Sequence, residues 1–173
     1  APVASAQIAA EAPGWYHPGR SGVLRLGPKN TLAAFGEIHP GILERLDVTG
    51  PLVGFEVFLD NAPLPKAKAS RNRDRMDVSD LPAVHRDFAF LVDEATMAER
   101  IVRAAHAADR GLIANVSVFD VYTGEGIEEG KKSVAIAIRL EPREATLTDP
   151  EIDAVAKKVV AAVEKATGAT LRG

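Results

Sequence analysis

The chain has 173 residues, a formal net charge of −3 and 46% hydrophobic residues, values that are ordinary for a globular protein. It contains no cysteine, which excludes disulfides, thiolate metal ligands and a cysteine nucleophile, and which suits a cytoplasmic location. The four histidines lack metal-ligand spacing, and no apolar run approaches the roughly 18 residues that span a bilayer. We therefore expect neither a metal site nor a membrane partner.

The charge is unevenly distributed along the chain. Residues 1–77 carry 9 basic and 8 acidic side chains, whereas residues 78–173 carry 12 basic and 16 acidic ones. A net-negative domain cannot bind nucleic acid by bulk attraction alone. Any contact with RNA would need locally placed cations and specific contacts to bases.

The first part of the chain is predicted to be rich in short β-strands. Three apolar runs are bounded by glycine and proline, and residues 40–46 have the length of one or two helical turns. Residues 17–21, HPGRS, have the composition of a turn. We expect residues 1–65 to form a short β-rich partial domain. The three runs are 22–27, 32–38 and 52–59.

A linker is predicted at residues 66–79. The surrounding stretch, residues 61–80, contains two prolines and has no hydrophobic periodicity. It also contains five cations within ten residues, at positions 66–75. Such a run can meet phosphate, but its composition favours a solvated tether.

The remainder of the chain has the element order β-α-β-β-α-β. That order predicts an α+β domain, a ferredoxin-like βαββαβ sandwich over residues 80–173, with two helices on one face of a four-stranded antiparallel sheet and the other face open. The second helix begins with a capping box, Thr148 and Glu151, and ends at Gly168. The predicted elements are strand 84–93, helix 96–109, strands 112–122 and 131–140, the second helix after Thr148, and edge strand 169–172.

Alternation along the predicted hairpin indicates which side chains face outward. In the strand 131–140 the bulky residues at every second position should lie under the helices, which leaves Ser133 on the open face. Asp120 and Tyr122 share a face, and an outward orientation avoids burying a lone carboxylate. A regular strand would turn Val116 and Val118 outward as well, unless a bulge shifts the register.

With that orientation, Ala89, Asp120, Tyr122 and Ser133 form a shallow pocket with an aromatic wall. A tyrosine ring can stack on a nucleobase. A carboxylate accepts hydrogen bonds only, and the Watson–Crick edge of guanine offers two adjacent donors, N1–H and N2–H. The residues alone leave a second interpretation open, in which Asp120 and Tyr122 are solvent-facing hairpin residues without a ligand.

Seven short motifs, in order, give the chain a family resemblance. Over residues 13–173 it closely resembles the C-terminal region of the bacterial phenylalanyl-tRNA synthetase β subunit. The motifs are WYHPGRS (15–21), FGEIHP (35–40), RDFAF (86–90), FDVY (119–122), GKKS (130–133), TLTD (146–149) and LRG (171–173).

The resemblance implies a division of the chain and a role for the pocket. Residues 1–65 would be the C-terminal part of the catalytic-like domain, and residues 80–173 the ferredoxin-fold anticodon-binding domain. The first anticodon base, a guanine, would be held by the four pocket residues, with Tyr122 stacking on it and Asp120 and Ser133 bonding its edge. Lys131 and Lys132 are candidates for contacts to tRNA phosphates or are simply solvated.

The resemblance also implies partners and assigns the chemistry elsewhere. The family enzyme is an (αβ)₂ heterotetramer that uses ATP and magnesium to attach phenylalanine to tRNA(Phe), with the active site in the α subunit. We therefore expect this chain to contain no catalytic residue, to bind no cofactor itself and to be inactive alone. The alternative is a ferredoxin-like regulatory or dimerisation module without RNA binding.

Overall fold

The computed structural model describes residues 6–63 and 79–172. The chain divides into two compact units, Ala1–Arg73 and Asp74–Gly173, called here the N-terminal and the C-terminal unit. Of the predicted linker 66–79, all residues but Ser79 lie outside the described part of the chain. No helix within the described residues is long and apolar enough to cross a membrane.

The N-terminal unit is a four-stranded antiparallel sheet in the order β1-β2-β3-β4, as the prediction of a β-rich unit requires. The buried core among its described residues is small and consists of Tyr16, Val23 and Ala34. The elements are β1 Gln7–Ala9, β2 Tyr16–Leu26, β3 Asn30–Ile38, helix α1 Pro40–Arg45, β4 Val53–Val57 and a 3-10 turn at Leu59–Asn61.

The turn predicted at residues 17–21 is instead an irregular part of strand β2. The pairing with β3 shifts between Tyr16 and Ser21. Ser21 Oγ donates a hydrogen bond to the carbonyl oxygen of His17 at 2.6 Å. This side-chain to backbone bond therefore forms within strand β2. Gly36 lies opposite with φ 144°, and a Cβ there would come within 2.5 Å of the Arg20 carbonyl oxygen. The bulged strand thus requires glycine at position 36.

The C-terminal unit confirms the predicted ferredoxin-like fold. Its elements follow the order βαββαβ, and all strand pairs in its sheet, ordered β6-β7-β5-β8, are antiparallel. Both helices pack on the same face of the sheet. The elements are β5 Val84–Asp93, α2 Ala98–Ala108, β6 Ile113–Tyr122, β7 Lys131–Leu140, α3 Asp149–Thr167 and β8 Thr170–Arg172.

One apolar core lies between the sheet and the two helices. It is built from alternate positions of the strands and from one stripe of each helix, as the sequence periodicity predicts. Among the described residues no helix packs on the opposite face of the sheet, which is called the open face. The core residues are Phe90, Val92, Ile101, Ala105, Ile113, Val134, Ile136, Ile138, Leu140, Ile152, Val155, Val159, Val163 and Ala169.

Helix α3 has the capping box that its sequence predicts. The Glu151 carboxylate accepts a hydrogen bond from the Thr148 backbone N–H at 2.8 Å and another from the Thr148 hydroxyl at 2.7 Å. These bonds, the backbone one first, lower the pKa of Glu151. The helix ends at Gly168 in the left-handed conformation, with φ 69°.

Asp109 connects the end of α2 to α3. Its carboxylate accepts backbone N–H bonds from Gly111 and Leu112 and a hydrogen bond from Lys158 Nζ at 3.0 Å. The Lys158 hydrogen bond is the largest cause that lowers the pKa of Asp109. A second hydrogen bond between the two helices is donated by the Arg100 guanidinium to the Ala166 carbonyl oxygen at 2.6 Å.

Candidate functional site

A β-bulge in strand β6 decides which side chains reach the open face. Val118 pairs with Ile136, whereas Asp120 pairs with Ala135, so one residue of β6 has no partner of its own. That residue is Phe119. Since side chains directly opposite each other in an antiparallel pair share a face, the strand changes its alternation at this point.

The bulge separates residues that a regular strand would put together. Val116 and Val118 lie opposite Ile138 and Ile136 and therefore face the core. Val116 packs against that core, while Val118, on the edge strand, is 37% exposed. After the bulge, Asp120 faces the open side. The sequence analysis left open whether such a shift occurs and did not locate it.

The four predicted pocket residues lie in two neighbouring cross-strand rows of the open face. The first row runs from Tyr122 on β6 through Ser133 on β7 to Leu91 on β5. The second runs from Asp120 through Ala135 to Ala89. Together the two rows form a surface whose floor consists mainly of small side chains and whose polar groups lie along one side.

Asp120 and Ser133 have hydrogen-bonding capacity that the protein does not use. Within the described residues, neither the Asp120 carboxylate nor the Ser133 hydroxyl has a hydrogen bond or ion pair. Asp120 is exposed on the edge strand, and Ser133 lies on the floor with 5% of its surface accessible. The Asp120 carboxylate is therefore open to a ligand on this face, whereas the Ser133 hydroxyl lies at the bottom of the surface and is largely covered by its neighbours.

The ring of Tyr122 is held in place by the loop that follows it. Its hydroxyl donates a hydrogen bond to the Glu125 carbonyl oxygen at 3.2 Å. A Cβ added to Gly124 would lie 2.6 Å from that hydroxyl oxygen and 2.7 Å from the adjacent ring carbon. The ring thus lies against the backbone of Gly124. The sequence of the loop did not predict this contact.

Arg172 is a second residue of this surface that the sequence analysis missed. It pairs with Ala89, which extends the second row to Asp120, Ala135, Ala89 and Arg172. Its guanidinium carbon lies 6.0 Å from the centroid of the Tyr122 ring, over the ring. In the sequence, the alternation of side chains along the terminal LRG motif was the one indication of the face on which Arg172 lies. It becomes useful only once the pairing of β8 with β5 is known.

The two lysines predicted to contact phosphate are not equivalent. Lys131 shares the strand face of Ser133 and forms an ion pair with Glu128 at 2.7 Å, which raises the pKa of the Lys131 ammonium. Lys132 pairs with Val92, a core residue, and so alternates to the face that the helices cover. Only Lys131 lies on the same face as the pocket.

The arrangement suits a flat, polar ligand. An aromatic ring, a carboxylate, a hydroxyl and a guanidinium surround a floor of alanine methyl groups, so that a planar heterocycle can stack and have its edge read by hydrogen bonds. No group of three or more metal-ligating side chains occurs among the residues that the structure describes.

Comparison with family models agrees with the fold of the C-terminal unit. Residues 79–172 match the model of the ferredoxin-fold anticodon binding domain. Residues 2–59 match that of the phenylalanyl tRNA synthetase beta chain CLM domain. The C-terminal unit is thus a domain of the anticodon-binding class.

Curated relatives give the family of the whole chain. Phenylalanine–tRNA ligase β subunits of Bradyrhizobium diazoefficiens and Mesorhizobium japonicum are 55% and 54% identical, over 99% and 100% of this chain respectively. That of Paramagnetospirillum magneticum is 54% identical over 98% of it. The chain belongs to the phenylalanine–tRNA ligase β-subunit family. It covers 21–22% of the length of these relatives.

Proposed function

We propose that this chain binds the anticodon loop of tRNA(Phe) and reads its first base, a guanine, on the open face of the C-terminal unit. One observation carries the proposal: the β6 bulge brings the unpartnered Asp120 carboxylate and Ser133 hydroxyl beside the ring of Tyr122. The match to an anticodon-binding domain supports RNA as the ligand.

The selectivity for guanine rests on the polarity of hydrogen bonds. An ionised carboxylate only accepts, and guanine presents the N1–H and N2–H donors side by side on its Watson–Crick edge. Adenine presents an acceptor at N1, which repels the same carboxylate. Ser133 can donate or accept as the base requires, and Ala89 and Ala135 leave the floor flat enough for a base to lie on it.

In this proposal the chain supports catalysis without performing it. Anticodon binding would position tRNA(Phe) for ATP-dependent phenylalanylation by an α subunit within an (αβ)₂ heterotetramer. ATP and magnesium would bind to that subunit, and the N-terminal unit would belong to the catalytic-like domain of the β subunit. Lys131 would add a phosphate contact after exchanging its partner Glu128.

The direct test is a binding titration of the 173-residue chain with the anticodon stem-loop of tRNA(Phe). A second stem-loop carries adenine in place of the first anticodon guanine. We expect the guanine loop to bind more tightly by about 1–3 kcal/mol, the discrimination of one base-edge contact. Equal affinity for the two loops would refute the guanine pocket.

An Asp120→Asn variant tests the carboxylate separately. An amide can donate as well as accept, so it can satisfy the acceptor on adenine. The variant should bind both loops with similar affinity. Asn115→Asp, which adds a carboxylate to the same strand outside the pocket, is the control and should keep the wild-type preference. Intact discrimination in Asp120→Asn would show that another group reads the base.

Dimerisation without RNA binding is the second candidate function. Strand β6 lies at the edge of its sheet and exposes Val118, Phe119 and Val121, and an apolar edge strand can pair with another chain. Analytical ultracentrifugation separates the candidates. A concentration-dependent dimer that binds neither stem-loop would favour this second function.

A further inference from the structure

We propose that Arg172 covers the stacking face of Tyr122 in the free protein and closes over the bound base as the second layer of a sandwich. The inference rests on the proposed function and adds to it a further residue that contacts the base. The guanidinium carbon of Arg172 lies over the Tyr122 ring, 6.0 Å from its centroid. A base that stacks on this ring must therefore meet Arg172.

The geometry follows from the sheet order. Tyr122 lies on β6, one edge of the sheet, and Arg172 on β8, the other edge. The strands between them contribute Ala135 and Ala89 to the open face, and these short side chains leave the space above the floor empty. Two long side chains can therefore lean toward each other from opposite edges, and they meet above the alanines.

The separation fits a sandwich after a small movement. Stacked carbon layers lie roughly 3.5 Å apart, so a base between the ring and the guanidinium needs about 7 Å. The present 6.0 Å leaves about 1 Å to be opened. An exposed arginine on a three-residue strand can supply that by rotating about its side-chain bonds.

The chemistry of the guanidinium suits contact with the Tyr122 ring in the free protein and contact with a base in the complex. It is planar and weakly hydrated, so it stacks on an aromatic ring and equally on a base. Within the described residues, Arg172 has neither a hydrogen bond nor an ion pair; its one contact of this kind is with the Tyr122 ring. The cation is thus held only by the surface that the base would occupy.

A charge-matched pair of variants tests this role. Arg172→Met keeps an unbranched side chain but removes the planar cation, and Arg139→Met removes the same charge from the same open face, two rows away from Asp120. We expect Arg172→Met to bind the guanine stem-loop about threefold to thirtyfold more weakly. Arg139→Met should lose less, and Arg172→Lys should lie between wild type and Arg172→Met.

The salt dependence distinguishes stacking from a phosphate contact. A stacked cation displaces no condensed counterion, so the slope of log K against log salt should be the same for Arg172→Met and wild type. A slope reduced by about 0.7, the value for one phosphate on single-stranded RNA, would overturn the sandwich in favour of a phosphate contact. Wild-type affinity in Arg172→Met would overturn it as well.

A measurement on the free protein tests the cover itself. In a proton NMR spectrum the ring current of Tyr122 should shift the side-chain resonances of Arg172 upfield, and Tyr122→Leu should abolish that shift. Its absence from the wild-type spectrum would overturn the cover. If wild type binds the two stem-loops equally, the guanine reading itself fails. If it discriminates and Arg172→Met matches it in affinity and slope, the sandwich alone fails.

Discussion

At the scale of single residues, the site depends on how firmly Tyr122 is held before any ligand arrives. The bulge directs the ring to the open face, the Glu125 carbonyl oxygen accepts a hydrogen bond from its hydroxyl, and the backbone of Gly124 lies against it. A side chain that is already ordered loses little entropy on binding. Its stacking energy is then available for affinity.

Replacement of Tyr122 separates stacking from the hydroxyl anchor. Tyr122→Ala should weaken binding of the anticodon stem-loop by about 1–3 kcal/mol, the range for loss of one base–aromatic stack. Tyr122→Phe keeps the ring and loses only the bond to Glu125, so it should retain most of the affinity. Isothermal titration calorimetry measures both. An alanine variant that binds like wild type would remove Tyr122 from the site.

Gly124→Ala tests the contact beneath the ring. The added Cβ would lie 2.6 Å from the Tyr122 hydroxyl oxygen, closer than non-bonded atoms approach, so the ring must move away. We expect an affinity loss approaching that of Tyr122→Ala, with little change in the unfolding temperature because the loop is exposed. Glu125→Ala keeps the backbone carbonyl and is the control. Equal affinities for these two variants would contradict the contact.

At the scale of elements, two carboxylates stabilise helix ends, one at the start of α3 and the other at the end of α2. Glu151 caps the start of α3, and Asp109 joins the end of α2 to Lys158 in the middle of α3. Both groups have a lowered pKa in the folded protein. They stabilise the helical layer that packs on the sheet.

The lowered pKa of Asp109 makes a pH-dependent prediction. A carboxylate whose folded pKa lies below its ordinary value of 3.8 stabilises the fold fully above that value, and the contribution is lost as the pH falls through the folded pKa. The free energy of unfolding, measured by urea denaturation, should therefore fall as the pH drops below about 4. Asp109→Asn should show a shallower fall than wild type, and exposed Asp153→Asn should match wild type more closely.

The elements themselves were largely predictable, but their register was not. The alternation from Val134 to Leu140 and the capping box at Thr148 are local patterns, and the fold reproduces both. The bulge at Phe119 is different, because valines continue the strand pattern on either side of it and no residue there forces an irregularity. Pairing across the whole hairpin decides it. The position of Arg172 depends likewise on which strand β8 joins.

At the scale of the whole molecule, the two units differ in how much core they contain. Among the residues that the structure describes, fourteen buried ones form the core of the C-terminal unit, whereas three form that of the N-terminal unit. Strand β4 leaves Val53, Phe55 and Val57 more than half exposed. We therefore expect a substitution in the core of the C-terminal unit to change mainly the free energy of unfolding of that unit.

A core truncation tests that expectation. Ile136 is fully buried under the helices, and Ile136→Ala should lower the free energy of unfolding by about 2–5 kcal/mol through lost burial and the cavity that remains. Val121→Ala, in the same sheet but 52% exposed, should cost far less. Differential scanning calorimetry should show the shift in the transition of the C-terminal unit. Equal shifts in both variants would contradict the assigned core.

The bulge at Phe119 also has a consequence for how this surface can vary between relatives. A second shift in the pairing lies between Ile113 and Asn115, and between the two shifts the pairing is regular. The stretch that packs on the helices and the stretch that presents Asp120 and Tyr122 on the open face are therefore registered separately. Substitutions among the exposed positions after the bulge can then accumulate without disturbing the packed valines before it. Strand β6 thus combines, within ten residues, a stretch whose packing restricts substitution and a stretch whose exposed positions can change with little effect on the fold.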